Sequence, residues 1–423
     1  MGSNNTIEND FARDEGFMKK ISMAVIGLGC RGKGLHGTLL SMEDVEVVAL
    51  CDEYQDRVDA AVNDNEIITG KRPFGTTDYR QVLAMPEVDA VLIATAWEPH
   101  IPSAIDAMRA GKACCMEVGG AYSLDDCFAL VRAQEETHMP FMFLENCCFG
   151  KEELLVTSLV RNGLYGEVVH CSGKYGHDRR SQIVHGEENR HYRFRNYFNR
   201  NCDNYPTHEL GPIAKLLGIN RGNRMVSLVS VASKARGLEE FVNSHIDEVN
   251  PSLSGKRFMQ GDITTTLITC SNGATIQISL DTSLPRMYDR AFTVHGTKGF
   301  SMGMPRDLSP SMYLCFDGEE RWRSIDEDEF KKYDYWQYVS KEASRSGHGG
   351  TDGMELKVFI DCLKNGKEMP IDVYDAAAWM CISCLSETSI AQGGKAQAIP
   401  DFTHGEWLRR PLKDVVELPV VNK

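Results

Sequence analysis

The sequence has no run of about 18 consecutive apolar residues, the length at which a helix begins to span a bilayer. It also lacks long basic stretches: the 423 residues carry a formal net charge of -14, which argues against nucleic acid as the main partner. Residues Met1 to Glu15 are polar and acidic, without the basic and apolar regions of a signal peptide. We therefore expect no membrane association and a cytoplasmic protein, or else a chain from which an export signal was removed. Residues 1–18 are predicted to form a flexible N-terminal segment.

Arrangements typical of metal binding are also scarce. The 14 cysteines are scattered, and several lie in apolar strand patterns, where a free thiol behaves as a small hydrophobic group. This usage fits a reducing compartment. Cys381 and Cys384 form a single Cys-x-x-Cys pair in a helical pattern, without a second pair or nearby histidines. We therefore predict no metal site.

What the sequence does contain is a glycine-rich turn directly after an apolar strand. The strand runs into Gly27-Leu28-Gly29-Cys30-Arg31-Gly32, and a helical pattern follows. In a dinucleotide-binding turn the first glycine permits the tight bend, the second lets the backbone approach the pyrophosphate, and the third allows close packing of helix on strand. The helix N-terminus then offers free N–H groups to the phosphates. The alternative is an ordinary glycine-rich turn without a ligand.

An acidic residue supports the first interpretation. A second apolar strand, Val45–Cys51, ends at Asp52, which lies 20 residues beyond Gly32. A carboxylate at this place accepts hydrogen bonds from ribose hydroxyls and repels a 2′-phosphate. The pattern therefore predicts NAD as the cofactor, in preference to NADP.

Strands and helices alternate from Ile21 to Leu144, which predicts a doubly wound parallel sheet, a Rossmann domain over residues 19–147. Ligands of such sheets bind outside the carboxyl ends of the strands. Four residues that follow strand ends are therefore expected to line the cofactor crevice: Trp97, His100, Glu117 and Asn146.

After Cys147 the pattern changes. A helix leads into a strand over Glu167–Tyr175, and a polar loop rich in Arg and Asn follows over Gly176–Asn204. Further strand patterns occupy residues 225–234, 262–270, 274–280 and 290–295, and helical stretches occupy 353–365 and 372–392. We expect an α+β domain with a largely antiparallel open sheet over residues 148–423, which binds the substrate. The fold class is thus α/β, with a Rossmann domain followed by this second domain. Open sheets of this kind often pair face to face, so a homo-oligomer is expected.

This domain order resembles the Gfo/Idh/MocA oxidoreductase superfamily. Ordinary members end strand five in Glu-Lys-Pro, and the lysine assists hydride transfer. Here the matching run is Met116-Glu117-Val118-Gly119-Gly120, and Val118 has no ionisable group. A plain dehydrogenase of this superfamily is therefore disfavoured.

Several blocks resemble glycoside hydrolase family 109, the NAD-dependent α-N-acetylgalactosaminidases, more closely. The most specific block is Tyr205-Pro206-Thr207-His208, and the others are Trp97-Glu98-Pro99-His100, Glu117-Val118, Leu144–Cys148, Tyr175–Asp178, Leu210-Gly211-Pro212, Tyr288 and Gly347–Gly350. The family pattern usually has glycine where Glu209 stands, and the linker Phe194–Asp203 also departs from the common version. These departures flank the sugar site and affect the identity of the substrate more than the chemistry.

The resemblance implies roles for individual residues. Beyond the glycine turn, NAD would be contacted by Cys30, Arg31, Asp52, Trp97 through His100, Glu117, Val118, Asn146 and Tyr205. The sugar would be contacted by Tyr175, Arg193, Tyr205, Thr207, His208 and Tyr288. Tyr175 and His208 are the main candidates for proton transfer, and His177 is a third candidate or a supporting residue.

Each of these residues also has a simpler interpretation. His208 can be a helix-start residue, Tyr175 a packing aromatic, and His100 a helix cap. Gly347–Gly350 can be a flexible turn. The arginines at 179, 180, 193 and 195 can form a solvated rim or attract an anionic sugar such as a sialylated or sulfated glycan.

The implied reaction is hydrolysis through transient oxidation. A hydride passes from carbon 3 of the sugar to NAD⁺ while a base removes the hydroxyl proton. The resulting ketone makes the proton on carbon 2 acidic, a second base removes that proton, and the aglycone leaves from carbon 1. Water then adds and the hydride returns, so there is no net redox change. The expected activity is that of an NAD-dependent glycosidase acting on an N-acetylgalactosaminide or a related glycoside. Two alternatives stay open: a sugar dehydrogenase that releases NADH, and a non-catalytic nucleotide-binding regulator.

Overall fold

The computed structural model describes residues 20–305, 307–340 and 346–421. The N-terminal segment predicted over 1–18 lies outside these residues. The first domain is a six-stranded sheet in the order β3-β2-β1-β4-β5-β6, with every neighbouring pair parallel. Its elements are β1 (Ile21–Ile26), α1 (Cys30–Leu40), β2 (Val45–Cys51), α2 (Gln55–Thr69), β3 (Phe74–Thr76), α3 (Tyr79–Leu83), β4 (Ala90–Ile93), α4 (Trp97–Arg109), β5 (Ala113–Glu117), α5 (Leu124–Thr137) and β6 (Phe141–Leu144). The predicted doubly wound parallel sheet is confirmed.

The central strands of this sheet are apolar on both faces because helices cover both sides. All residues of β4, β5 and β6 are buried. Helix α5 begins where Ser123 accepts a hydrogen bond from the backbone N–H of Asp126 at 3.1 Å, which satisfies a donor that has no partner within the helix.

The second domain is built on a nine-stranded sheet in the order β14-β13-β12-β11-β7-β10-β9-β8-β15 among the described residues. Its elements are α6 (Lys151–Arg161), β7 (Val168–Gly176), α7 (Arg180–Val184), α8 (Arg193–Asn199), α9 (Thr207–Leu216), β8 (Met225–Ala232), α10 (Gly237–Ser244), β9 (Ile263–Cys270), β10 (Thr275–Asp281), β11 (Thr293–Gly296), β12 (Gly299–Gly303), β13 (Met312–Phe316), β14 (Arg323–Ser324), α11 (Thr351–Asn365), α12 (Val373–Ala391) and β15 (Gln397–Ala398). Only β7 and β10 pair in parallel among these neighbours, so the largely antiparallel sheet is confirmed.

The structure corrects the prediction of a loop over Gly176–Asn204, because α7 and α8 lie within it. The two helices form because their apolar side chains share a small separate core: Ile183 and Val184 pack with Tyr197, and Phe194 and Phe198 cover them. The polar residues between them masked this pattern in the sequence. Strands β12, β13 and β14 were also not predicted, since they are short and β12 begins and ends in glycine.

The two domains share one hydrophobic core. Helix α12 of the second domain packs on α5 and β6 of the first. Gly120, just after β5, lies so close to α12 that a Cβ there would be 2.1 Å from Oγ of Ser383. None of the helices in the described ranges combines the length and apolarity needed to cross a bilayer.

Candidate functional site

A cavity of about 1430 Å³ lies between the carboxyl ends of the Rossmann strands and the end of β7. It brings together residues from both domains. Of the predicted site residues, its lining includes Gly27, Gly29, Cys30, Arg31, Asp52, His100, Glu117, Val118, Asn146, Tyr175, His177, Arg193, Tyr205, His208 and Tyr288.

Four predicted site residues do not line this cavity. Glu98, from the run Trp97 through His100, pairs with Arg195 instead. Gly32 is buried under the turn, where a Cβ would lie 1.9 Å from the carbonyl oxygen of Gly27. Trp97 is buried in the wall, with its ring against those of Tyr192 and Tyr205 at centroid distances of 4.6 and 5.6 Å. Thr207 is fully buried behind His208. Gly32 and Trp97 thus shape the cavity without lining it.

The glycine turn has the geometry that a dinucleotide requires. Gly27 has φ +96, and a Cβ there would lie 2.5 Å from the Ala94 backbone, so no other residue fits. A Cβ at Gly29 would meet only a guanidinium nitrogen of Arg57 at 3.6 Å, so the backbone here is open to a ligand. Helix α1 starts at Cys30 without a side-chain cap on its first N–H groups. These free donors at a helix N-terminus fit the pyrophosphate of NAD.

Asp52 stands at the end of β2, as predicted, and also holds the turn. Its Oδ2 accepts from the backbone N–H of Leu28 at 2.6 Å, and its Oδ1 accepts from that of Tyr54 at 3.0 Å. The carboxylate is therefore fixed at the cavity wall, where ribose hydroxyls can donate to it.

Arg31 connects the turn to the second domain. Its guanidinium lies 2.7 Å from Oε1 of Glu117, 2.5 Å from Oδ2 of Asp352 and 3.3 Å from Oε1 of Glu355. Burial opposes ionisation of Asp352, but hydrogen bonds from His348 and Arg31 outweigh it and hold the pKa of Asp352 well below its usual value. Burial and the neighbouring acids raise the pKa of Glu355, although Arg31 opposes this. The ion pairs fasten α11 to the dinucleotide turn.

The Gly347–Gly350 segment is part of the same connection. His348 Nδ1 lies 2.8 Å from Oδ2 of Asp352, and Asn146 Nδ2 donates to Oδ1 of Asp352 at 2.9 Å. His348 has φ +52, and Gly349 and Gly350 have φ +72 and +105. These left-handed conformations bring the chain back to Arg31, so the segment is an ordered part of the cavity wall.

His208 lies in the first turn of α9 and faces the cavity. Its Nδ1 is 2.8 Å from Oε1 of Glu145, a carboxylate with no solvent exposure. Burial opposes ionisation of Glu145, but His208, Thr207 and the backbone N–H of Cys147 overcome it and lower the pKa of Glu145. An ionised carboxylate only accepts hydrogen bonds, so Nδ1 carries the proton. Nε2 of His208 then faces the cavity, 3.3 Å from the hydroxyl oxygen of Tyr205.

Aromatic side chains surround this histidine. The Tyr205 ring lies 4.7 Å and the Tyr175 ring 5.4 Å from the His208 ring, between centroids. Burial raises the pKa of Tyr205 well above its usual value, and burial likewise raises that of Tyr288. Both phenols therefore stay protonated at neutral pH and act as hydrogen-bond donors.

His177 lies beside Tyr175, with ring centroids 5.9 Å apart. Burial and the positive charges of Arg179 and Arg193 lower the pKa of His177 to about 4. The imidazole is thus neutral at physiological pH, which permits it to donate and accept one hydrogen bond each.

The atoms of Glu145, Cys147 and His208 lie within 4.8 Å of one another, close enough to share a metal ion. Burial raises the pKa of the Cys147 thiol well above its usual value. Nδ1 of His208 is engaged by Glu145, and the backbone N–H of Cys147 donates to Oε1 of Glu145 at 3.1 Å, so hydrogen bonds also link these three residues.

Two departures from the family pattern have different places in the structure. Glu209 is buried and does not line the cavity; its Cβ lies 3.1 Å from where a Cβ on Gly173 would be. Burial and the neighbouring Asp203 raise the pKa of Glu209 well above its usual value, so it is uncharged at neutral pH. The linker Phe194–Asp203 contains α8 and packs on α7. Neither places a new charged group against His208.

Two residues of the site were not predicted: Glu145 and Asp352. Arg179 was named only as one of four arginines that form a solvated rim or attract an anionic sugar. Glu145 directly follows the end of β6 and precedes the predicted residue Asn146. This place at the carboxyl end of a Rossmann strand could have identified Glu145 as a site residue from the sequence. Asp352 lies two residues beyond Gly347–Gly350, but its pairing with Arg31 spans 321 positions and left no local signal.

Fold and cavity define a two-domain protein with a Rossmann domain for a dinucleotide. Residues 21–144 match the family model for the oxidoreductase family, NAD-binding Rossmann fold, and residues 149–409 match that for glycosyl hydrolase 109, C-terminal domain. The chain belongs to glycoside hydrolase family 109. This confirms the family and the NAD-binding domain expected from the motifs, and it makes the protein a glycosidase with NAD as its cofactor.

Comparisons with individual relatives support the same family. The chain is 37% identical to a glycosyl hydrolase family 109 protein of Stenotrophomonas maltophilia, over 93% of this chain and 91% of the relative. It is 36% identical to an alpha-N-acetylgalactosaminidase of Tannerella forsythia, over 91% and 86%. Among solved structures, an oxidoreductase of Agrobacterium radiobacter in complex with NAD⁺, L-tartaric acid and magnesium has a TM-score of 0.66 at 18% identity, covering 90% of this chain and 99% of that one. This last likeness concerns the fold alone.

Proposed function

We propose that the protein hydrolyses α-N-acetylgalactosaminides by transient oxidation at carbon 3, elimination, addition of water and re-reduction. The observation that carries the proposal is the pair formed by buried Glu145 and His208. We expect the nicotinamide ring of NAD at the end of the cavity where this pair lies. Relatives named alpha-N-acetylgalactosaminidase at 35–36% identity support the choice of sugar.

The residues that would hold NAD are the Gly27–Gly32 turn and Asp52, with Glu117, Asn146 and Tyr205 further along the cavity. When bound, NAD supplies a hydride acceptor that later gives the hydride back. The chain itself has to position the sugar, move protons and keep developing negative charge stable.

His208 is the base in this proposal. The ionised Glu145 fixes its Nδ1 proton, and Nε2, beside the Tyr205 hydroxyl, takes a proton from the sugar and returns it. Such assistance typically contributes on the order of 10²- to 10⁴-fold in rate. The buried carboxylate also stabilises the imidazolium that forms after proton transfer.

Tyr205 and Tyr175 supply the polar contacts next to this base. Because Tyr205 stays protonated, it donates a hydrogen bond and steadies the oxygen on which negative charge develops. The hydroxyl of Tyr175 accepts from Nη2 of Arg179 at 3.3 Å, and this leaves its own proton for a sugar oxygen. His177, neutral at physiological pH, is placed to orient the same oxygen.

Two carboxylates facing each other across the scissile bond are not needed by this route. Glu145 is fully buried behind His208, and Glu117 is engaged by Arg31. A sugar dehydrogenase remains the second candidate. Val118 speaks against it, since this buried aliphatic side chain lies at the place of the lysine that assists hydride transfer in ordinary members.

The test is a panel of α- and β-nitrophenyl glycosides, led by the α-N-acetylgalactosaminide, with no NAD added. Release of nitrophenol and absorbance of NADH are followed together. We expect nitrophenol without net NADH. Accumulation of NADH with free sugars and added NAD⁺, in the absence of nitrophenol release, would favour the dehydrogenase.

We also propose that the protein is a homo-oligomer that pairs through the outer face of the second sheet. Val231 and Leu267 are about half exposed there, at 55% and 53%, on the neighbouring strands β8 and β9. Light scattering of the purified protein tests this, and a monomer at all concentrations would contradict it.

A cytoplasmic location is likewise a proposal, supported by 14 free cysteines. Cell fractionation tests it.

A further inference from the structure

Two arginines in the cavity have no carboxylate to neutralise them within the described part of the chain. Arg193, the first residue of α8, is 5% exposed, and its Nε and Nη1 have no hydrogen-bond partner among the described residues. Arg179, just before α7, has a buried Nε without a partner in the same part of the chain, and its Nη2 donates to the hydroxyl of Tyr175. Both side chains line the cavity. A buried guanidinium without an anion is strongly disfavoured, so Arg193 points to a ligand. Arg179 is only partly buried, but its unpaired Nε belongs to the same cavity.

The other arginines nearby differ in this respect. Arg180 makes two hydrogen bonds with Asp178, at 2.9 and 2.7 Å. Arg190 is 2.8 Å from Asp56, and Arg195 pairs with Glu98. The neighbouring carboxylates are thus committed to other arginines, and the positive charge that remains in the cavity comes from Arg179 and Arg193.

Aromatic contacts hold Arg193 in place without neutralising it. Its guanidinium carbon lies 5.0 Å from the Trp97 ring centroid and 4.8 Å from that of Tyr205. Stacking of this kind stabilises a cation only modestly and leaves its in-plane N–H groups free. The Nε and Nη1 donors are therefore ordered and available.

A further polar atom without a partner belongs to the same region. Nδ1 of His177 is buried and has no hydrogen-bond partner within the described residues, and the His177 side chain lines the cavity. The positive charge of the arginines is one reason why His177 stays neutral, so it adds a hydrogen bond rather than another charge. Arginine donors and a neutral imidazole together match the several oxygens of a sulfate or carboxylate.

The pyrophosphate of NAD does not account for these arginines. It belongs to the Gly27–Gly32 turn, whereas Arg179 contacts Tyr175, whose ring lies 5.4 Å from that of His208. The arginines therefore border the place where the sugar reacts.

We propose that the natural substrate is an anionic glycoside, in which a sulfate or carboxylate bound by Arg179 and Arg193 lies on the cleaved sugar or on the group attached to it. This deepens the proposed function and rests on it. Carbons 1 to 3 of the sugar react, so the anion belongs on another carbon of the sugar or on the aglycone. The protein carries a net charge of -14, so this local positive site selects an anionic substrate that the rest of the surface repels.

The test compares three chromogenic substrates: nitrophenyl α-N-acetylgalactosaminide, its 6-sulfate, and a nitrophenyl analogue with a carboxylate on the aglycone ring. The second and third decide whether the anion lies on the sugar or on the aglycone. We expect kcat/KM for one of them to exceed that of the neutral substrate by about tenfold or more, as for a charge-assisted contact. Equal kcat/KM for all three would overturn the proposal.

The variant Arg179→Gln gives the second arm, with Arg180→Gln as its matched control. The ratio of kcat/KM for the anionic over the neutral substrate should fall at least about fivefold in Arg179→Gln. The same ratio should stay at the wild-type value in Arg180→Gln, because Arg180 is already paired with Asp178. The same fall in both variants, or in neither, would contradict a site at Arg179. Circular dichroism confirms that both variants are folded.

A binding measurement separates this proposal from the proposed function. The wild-type holoenzyme and Arg179→Gln are titrated by calorimetry with N-acetylgalactosamine 6-sulfate, N-acetylgalactosamine and inorganic sulfate. If no glycoside is hydrolysed, the proposed function fails, while tighter binding of an anionic ligand that is lost in Arg179→Gln still supports the anion site. Equal binding of charged and neutral sugar, together with no binding of sulfate, overturns it.

Discussion

Nδ1 of His208 lies 2.8 Å from Oε1 of Glu145, and the Glu145 side chain has no solvent exposure. The two residues come from different domains of the fold: Glu145 follows the last Rossmann strand, and His208 lies in the first turn of α9. Packing of the second domain on the first therefore brings together the pair to which we assign acid–base chemistry, and His208 is held in one tautomer with Nε2 toward the cavity.

Replacing Glu145 tests this relationship. Glu145→Gln removes the negative charge that fixes the Nδ1 proton and stabilises the imidazolium, so kcat should fall by about 10- to 100-fold. The matched control is Glu209→Gln. Glu209 is a buried neighbour whose raised pKa already keeps it uncharged, so its isosteric amide should retain activity. Equal losses in both variants would assign the effect to packing instead of to the pairing with His208.

Replacing His208 tests the base itself. His208→Asn should lower kcat by about 10²- to 10⁴-fold, because no other side chain takes over Nε2. NAD should stay bound, since the glycine turn and Asp52 hold it. Measuring NAD released from the denatured variant, alongside turnover, separates the two effects. An active His208→Asn enzyme would remove this residue from the mechanism.

Replacing Asp52 tests the choice between NAD and NADP. Asp52→Asn removes the charge that repels a 2′-phosphate, so the ratio of NAD over NADP affinity should fall by about tenfold or more. Asp59→Asn, an exposed change on α2, is the control and should leave the ratio as in the wild type. A ratio that does not move in Asp52→Asn would refute its assignment to the ribose.

Stability should depend on pH through His100. Burial lowers the pKa of His100 to about 4. The unfolded chain has a histidine pKa of about 6.5, so between these values the unfolded state binds more protons. The stability is therefore complete above about pH 6.5 and is lost as the pH falls toward 4, by up to about 1.4 kcal/mol per pH unit.

The variant His100→Gln should flatten the acid limb of the free energy of unfolding by that amount. Denaturant titrations from pH 4 to 7 measure it, and His170→Gln, which changes a partly exposed histidine on β7, serves as the control. An acid limb of wild-type steepness in His100→Gln would contradict the assignment. His100 itself lies within α4, in its first turn, with Nδ1 2.6 Å from the carbonyl oxygen of Ala96.

Much of the fold could be predicted because its signals are local. The strand Val45–Cys51 has the predicted bounds, since an apolar run that ends at Asp52 marks it in the sequence itself. The glycine turn was also visible, because its backbone conformation tolerates no side chain at Gly27.

The parts that could not be predicted depend on contacts between distant segments. Glu145 and His208 are 63 positions apart, and Arg31 and Asp352 are 321 positions apart. The family resemblance placed His208, but the carboxylate that orients it emerged only when the domains were packed together. The sequence also could not show which arginine lacks an ion pair. Arg179 and Arg180 are adjacent residues of the same type, and only the structure shows that Asp178 pairs with Arg180.

The most direct test of the account is hydrolysis of the nitrophenyl α-N-acetylgalactosaminide in D₂O, with analysis of the released sugar by NMR. A base removes the proton on carbon 2, and addition of D₂O then places a deuteron there. The account therefore predicts deuterium on carbon 2 of the product with no net formation of NADH. A product that keeps hydrogen on carbon 2 would contradict the elimination route and point to direct displacement at carbon 1.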